Sequence, residues 1–357
     1  MRDLKGRLLY LTILMLSFLA TGRQALAQEH QDVKNDPKEK FNATEYIMDH
    51  VLDSHEWHLW TNPKTDHAVA VYLPVIIYDR ESGLHLFSSR HIAEGKNYQG
   101  YEIAPEGKYQ GRLVKVNSDG TVNEQYLPLD LSITKTVAGM MVAAAVLLLI
   151  FLSLARSYRK SGLSAPKGIQ GLLEPLILFV RDDVIKPNIG PKYEKYLPYL
   201  LTVFFFILIN NILGLIPVFP FGANVTGNIA VTMTLALGTF ILTQFSGSRT
   251  YWKHIVATPG VPFWLLPIML IVEVIGIFSK PFALMIRLFA NITAGHIIVL
   301  SLVGLIFIFK SILISPVSIV FVLFMDVLEL FVAFLQAYVF TLLSSLFIGL
   351  ALQEEHH

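Results

Sequence analysis

The stretch Lys280–His296, KPFALMIRLFANITAGH, decides how this chain is read. It sets one arginine, Arg287, inside apolar sequence, with no acid in the stretch to pair with it. A cation at membrane depth costs about 2.5–3.5 kcal/mol even on the lenient insertion scales. An arginine kept at that cost is a candidate functional residue, and the surrounding chain is its setting.

Working outward, the 357 residues are 54% hydrophobic and 15% charged, with a mean hydropathy of +0.54. A soluble domain carries about 25% charged residues, so the deficit points to a polytopic membrane protein. The net charge of +1 comes with no basic cluster, which gives nucleic acid no patch to bind. Cysteine is absent, which removes disulfides, thiolate chemistry and cysteine metal sites. Polar, mixed sequence over 28–130 gives way to mostly apolar sequence from 131 to 352, and this shift is the main domain boundary.

Residues 1–27 have a basic start (Arg2, Lys5, Arg7), an apolar core from Leu8 to Ala20, and Ala25-Leu26-Ala27 before Gln28. This is the layout of a cleaved signal peptide. A core of about 13 residues is short for a membrane anchor, which needs about 20. Residues 28–130 are then expected as a small α+β extracytoplasmic domain. Helical spacing runs over Asp36–Trp60 (Phe41, Tyr46, Ile47, Val51, Leu52), and strands follow in AVAVYLPVIIYD, GLHLFSS and GRLVKVNSDGTV, the last with a hairpin turn at Asp119-Gly120. Seven of the eleven histidines fall here, and His55 and His58 would share a helix face. HExxH spacing is missing, so no metal site and no chemistry are assigned to this domain.

In the membrane domain, 131–357, Leu131–Leu154 is the first clear span. Arg156, Arg159 and Lys160 follow it and mark that end as cytoplasmic. Gly168–Gly190 carries Leu172, Leu173, Leu176, Phe179 and Val180 on one side and Glu174, Arg181 and Asp182 elsewhere. It is read as an amphipathic helix at the cytoplasmic interface. Tyr196–Val218 and Asn228–Phe245 are the next spans, joined by the uncharged PFGANVTG and closed by Arg249 and Lys253. The last two apolar runs, 261–309 and 316–352, are too long for upright helices across a core of about 30 Å. Each is tilted or bent, or Lys280-Pro281 breaks the first into a hairpin.

Glu273, Lys280, Arg287 and Asn291 recur at separations of 7, 7 and 4, one stripe on a continuous helix, while His296 lies half a turn away and should meet a different neighbour. Asp326, Glu329 and Gln336 share a face of the final run at separations of 3 and 7. A facing pair of helices would bring Glu329 near His296 and Gln336 near Arg287. Imidazole and carboxylate suit proton relay, whereas arginine does not deprotonate and acts as a fixed charge. Other roles are open: Lys280 snorkelling to the cytoplasmic interface, Glu273 pairing with Lys280, or Arg287, Glu329 and Asp326 forming a static ion-pair network.

These residues resemble the a subunit of F-type ATP synthases, from about Gly168 to the C-terminus. The resemblance rests on NILGLIP (Asn211–Pro217), IAVTMTLALGTFIL (Ile229–Leu242), SKPFALMIRLFANITAGH (Ser279–His296) and LQAYVFTLL (Leu335–Leu343). It implies that Arg287 is the essential arginine facing the c-ring carboxylate between two offset half-channels. By the same resemblance Asn291, His296, Glu329 and Gln336 match polar positions of the external half-channel, and Glu273 matches the acid of the cytoplasmic one. Some bacterial members have acid and His where this chain has His296 and Glu329; the swap keeps both groups. Also implied are about five membrane helices, the last two steeply tilted, a cytoplasmic C-terminus in a bacterial inner membrane, and a periplasmic N-terminal domain. The partners would be the c-subunit ring, the b subunits of the peripheral stalk and the remaining synthase subunits, with lipid around them. The common pattern includes neither the N-terminal domain nor the signal.

No nucleophile–base set, phosphate-cradling loop or metal motif is apparent, so no covalent step and no cofactor is expected of this chain. Two competing functions remain. A stand-alone proton-coupled transporter predicts internal repeats, and none is visible. A receptor anchored by its spans predicts that residues 28–130 carry the function. The coupling ion, proton or sodium, is left open, with proton the default.

Overall fold

The computed structural model describes residues 51–61, 68–104, 107–109, 111–117, 121–124, 127–161, 168–216, 219–256, 261–309 and 315–353. The chain divides into two compact units, Met1–Asn42 with His58–Ala70, and Ala43–Trp57 with Val71–His357. Of the first unit, only the strand pieces at 58–61 and 68–70 are among the described residues. The signal segment, most of the expected helix over 36–60, and the Asp119-Gly120 turn lie outside them.

Strand β1 (Glu56–Thr61) pairs with β2 (Ala68–Tyr72). This corrects the helical reading of SHEWH. Its aromatic residues favour a strand, and His55 lies just before β1 while His58 lies within it, so no helix face joins them. The apolar run from Ala68 splits at Leu73, and β3 (Pro74–Asp79) opens with a proline, which has no N–H to offer a ladder. Strand β3 sits between β4 (Gly83–Ser88) and β7 (Leu129–Asp130), antiparallel to both. Its alternation turns Val75, Ile77 and Asp79 inward and leaves Tyr78 exposed. A further pair, β5 (Tyr101–Ile103) and β6 (Leu113–Lys115), contributes Tyr101 and Leu113 to the core with Ile92. Asn117 N donates to Thr121 O (2.9 Å).

The ladder on β3 continues beyond β7, with Leu131 N to Ile76 O (2.9 Å) and Ile133 N to Pro74 O (3.1 Å). It runs directly into α1 (Lys135–Ser161). Then come α2 (Ile169–Phe179), a π-helical segment (Val180–Ile185) and α3 (Lys186–Ile189). Leu173, Leu176, Phe179 and Val180 pack on the core as expected, but Leu172 is 74% exposed. It lies 100° round the helix from Leu173, off the packed stripe. Gly190, at φ 75°, turns the chain into α4 (Tyr193–Gly214), a reversal that a side chain at Cβ would oppose.

Helices α5 (Ile229–Ser246), capped by the Asn228 side chain, and α6 (Arg249–Val256) follow. Helix α7 (Leu266–Phe309) has 44 residues and α8 (Ser315–Leu352) has 38. At 1.5 Å per residue they are about 66 and 57 Å long, roughly twice the hydrocarbon core. Helix α7 is continuous through Pro281, which excludes the hairpin. Among the described residues, five helical stretches are long and apolar enough to cross a membrane: 135–159, 170–214, 229–246, 263–306 and 315–352.

The membrane core forms where α4 and α8 meet: Leu200, Phe204, Phe205 and Ile207 with Ala337, Phe340 and Ile348, joined by Leu284, Met285 and Leu288 of α7. Helix α7 lies between α5 and α8. The outer flanks of the long helices stay apolar and exposed, as in Ile271, Ile275 and Phe282, or Val320, Phe324 and Phe331. Such surfaces belong against lipid or another apolar chain.

Candidate functional site

On α7, Leu284, Met285 and Leu288 are buried, and Arg287 lies on the side away from them. Arg287 is exposed together with Ala283, Ala290, Asn291 and Ala294. It has no hydrogen bond or ion pair among the described residues, so the static network with Glu329 and Asp326 does not form there. Small neighbours on either side let another surface come close to the guanidinium. Glu273 and Lys280 are half-exposed on the same helix and make no ion pair among the described residues. Lys280 instead turns to α8, its Nζ 5.6 Å above the Phe347 ring. There it lines a crevice with Thr239, Thr243, Gln244 and Tyr251.

The other half of the seam is built on close approach at two glycines. A Cβ on Gly295 would lie 2.3 Å from Glu329 Oε1, so the carboxyl rests on the backbone next to His296. That Oε1 is buried with no hydrogen-bond partner among the described residues. His296 faces α4, where its Nε2 would be 3.9 Å from a Cβ on Gly214. The structure thus brings His296 and Glu329 to one place without a direct hydrogen bond. Gln336 is 4% exposed while Arg287 points outward, and no hydrogen bond joins them among the described residues.

Several polar contacts here are invisible to a search for charge. Asn211 Nδ2 donates to Ala333 O (3.2 Å) and Asn211 Oδ1 accepts from Thr226 (2.5 Å), tying α4 to α8 and to the loop before α5. Thr293 Oγ1 donates to Gly227 O at 3.4 Å. Deeper in, Tyr199 and Thr239 hydroxyls lie 3.1 Å apart, and Thr239 and Ser344 hydroxyls 3.2 Å apart. Hydroxyls scarcely lower local hydropathy, and the legible signal was glycine beside a titratable residue, as in Gly295-His296.

The strand domain has its own polar centre. Asp79, 3% exposed, accepts from Tyr101 (2.7 Å), Lys115 (2.8 Å) and Ser82 (3.1 Å). Burial opposes its ionisation, but these bonds and the Glu81 backbone N–H outweigh it and hold the carboxyl well below the usual range. His55 Nε2 lies 2.8 Å from Asp130 Oδ2. Burial opposes that carboxylate too, and the bonds from His55 and Ser132 keep it below the ordinary value. These contacts brace the sheet. Among the described residues no group of three or more His, Asp or Glu gathers as a metal site.

The fold and this seam define a class, the polytopic membrane proteins with an outward-facing cation on one of two long paired helices. The family model for the ATP synthase A chain matches residues 138–349, and a model described as a domain of unknown function matches residues 46–132. The chain is 51% identical over 234 residues to ATP synthase subunit a of Chloroherpeton thalassium, covering 64% of this chain and 69% of that one. It is 55% identical to ATP synthase subunit a 2 of Chlorobaculum tepidum (62% and 64% covered) and 50% identical to ATP synthase subunit a of Myxococcus xanthus (64% and 76% covered). The chain belongs to the ATP synthase A chain family.

Proposed function

We propose that this chain is the stator subunit of the membrane (F0) sector of a rotary F-type ATP synthase. It forms two proton half-channels and couples proton flow to rotation of a c-subunit ring through Arg287. One observation carries the reading: an exposed arginine, without a partner among the described residues, on a small-residue face of a long apolar helix. A guanidinium so placed needs a counter-charge from outside the chain, and a carboxylate on a passing c subunit supplies one. Because arginine keeps its proton, it attracts that carboxylate and blocks protons from crossing directly between the half-channels.

In this reading His296 and Glu329, with Asn291 and Gln336, serve the external half-channel, and Glu273 serves the cytoplasmic one. Ser248, just before α6, bonds Ala351 and Gln353, so Arg249 and Lys253 lie at the same end as the C-terminus of α8. The positive-inside rule makes that end cytoplasmic, in a bacterial inner membrane. Residues 1–27 are the signal, 28–130 a periplasmic domain and 131–357 the membrane domain. The b subunits of the peripheral stalk and the other synthase subunits complete the assembly and carry the nucleotide chemistry.

The test replaces Arg287 with Ala or Gln in the assembled complex. Loss of proton-driven ATP synthesis is expected, and its retention would overturn the assignment. Synthesis measured with and without sodium at a fixed pH gradient identifies the ion; proton coupling predicts no sodium dependence.

A further inference from the structure

The outward face of the β4–β3–β7 sheet is apolar, whereas an antiparallel sheet with one buried face ordinarily turns polar side chains to water. The register sets its side chains in rows. Tyr78 lies opposite Leu84 on one flank and Leu129 on the other, and Ile76 lies opposite Leu86. Leu131, whose N–H donates to Ile76 O (2.9 Å), completes the second row. Leu84 is 67% exposed and Leu86 71%, and Tyr78, Leu129 and Leu131 are exposed as well. The acids of the sheet are on its other side. Asp79 is buried in the core, and Asp130, opposite buried Ile77, is bonded to His55. Glu81 is turned to Lys115 (2.7 Å). The two outward rows carry no charge, and exposed Arg80 follows Tyr78 at the far end of β3.

A contiguous apolar face marks a contact surface, and its place in the chain says with what. Strand β7 passes through residues 131–134 into α1, the first stretch long and apolar enough to cross a membrane. From Leu131 to Lys135, four residues of extended chain span at most about 13 Å. That link is pinned at both ends. Leu131 and Ile133 bond back to β3, while Lys135 N donates to Ser54 O (2.8 Å) and Thr136 N to Asp53 Oδ1 (2.9 Å). Ile76 and Leu86 follow Leu131 sideways, each by one strand spacing of about 4.8 Å. The second row is therefore held beside the headgroup layer that flanks the hydrocarbon core.

We propose that this sheet face rests on the membrane, its leucines set at the boundary between headgroups and acyl chains of the leaflet that α1 enters. The chemistry fits a lipid surface. Leucines free of acids fill the contact, a tyrosine suits the interface, and the flanking Arg80 meets lipid phosphate. Interfacial elements hold anionic bilayers by this combination of apolar area and positive charge. The sheet is thus a second hold on the bilayer beside α1, one that lies on it rather than spanning it. The proposal depends on α1 crossing the membrane and not on the half-channel reading.

The test uses the complete enzyme in lipid nanodiscs of phosphatidylcholine and phosphatidylglycerol, with and without a nitroxide on the upper acyl chain. This chain has no cysteine, so Leu86→Cys in an otherwise cysteine-free complex carries a single fluorescent label on the face. The label should lose most of its fluorescence to the nitroxide lipid and be shielded from acrylamide in the water. A label open to acrylamide, whether or not the lipid quenches it, means a bare face and overturns the proposal. A label shielded from both quenchers means that a protein covers the face, and overturns it equally. If Leu86→Cys does not accumulate in the membrane, Leu131→Cys in the same row is read by the same criteria.

Discussion

At Gly295 the absence of one carbon keeps the outer polar pair in place. A methyl there would meet Glu329 Oε1 at 2.3 Å and Cγ at 3.2 Å. The glutamate can swing away, because its carboxyl is the far end of a flexible side chain, but its charge then leaves the His296 neighbourhood. Gly295→Ala should therefore assemble normally and lower ATP-driven proton pumping about ten- to hundred-fold, as an ångström-scale misplacement does. Vesicle acidification at matched complex content measures this, and undiminished pumping would remove Glu329 from the path. Asp79 is a residue-scale case in the strand domain. A carboxyl depressed in the folded state adds stability above its unfolded pKa and loses that stability only as pH falls through the folded one. With Asp79 held far down, the fold should stand through mild acid. Asp79→Asn should cost about 1.5–3 kcal/mol, seen at neutral pH as a lower urea midpoint for loss of domain protection against protease.

Among the elements, α7 and α8 depend on what they touch more than on their own composition. Both are apolar nearly throughout, so apolarity alone would let either bend, split or rotate. Helix α7 continues unbroken through Pro281, where one backbone bond is lost, with α5 and α8 packed along its flanks. Helix α8 is seated on the α2–α3 segment at Gly349, where a Cβ would lie 2.0 Å from the Asn188 carbonyl oxygen. Backbone on both sides leaves nothing free to give. Gly349→Val should thus force the helices apart at an overpacking cost of about 1–3 kcal/mol or more. The expected outcome is a lower melting temperature of the detergent-solubilised complex; an unchanged one would show that α3 yields instead.

At the largest scale, within the unit of Ala43–Trp57 and Val71–His357, the strands from β3 on and the membrane helices are one continuous construction. The β3 ladder leads into α1, and Trp57 packs edge-on against Phe219 at 5.4 Å and beside Ala223 and Val225. Trp57→Ala should cost about 3–5 kcal/mol and expose the loop at 219–228 to externally added protease. Resistance equal to the parent's would mean the domain is held by its covalent link alone. The amino-acid sequence by itself determined the membrane class, the positions of the spans, the lone Arg287 and the titratable residues of the seam, because burying charge or backbone in lipid is costly wherever the chain goes. Only tertiary structure decided that Pro281 leaves α7 whole, that Lys280 leans to Phe347 rather than Glu273, and that Glu329 rests on Gly295 while His296 faces Gly214. Those outcomes depend on which helix lies alongside, and on glycines that let backbones touch, neither of which local hydropathy encodes. Read first as an expensive cation, Arg287 is left by this packing facing outward, exposed and without an ion pair among the described residues.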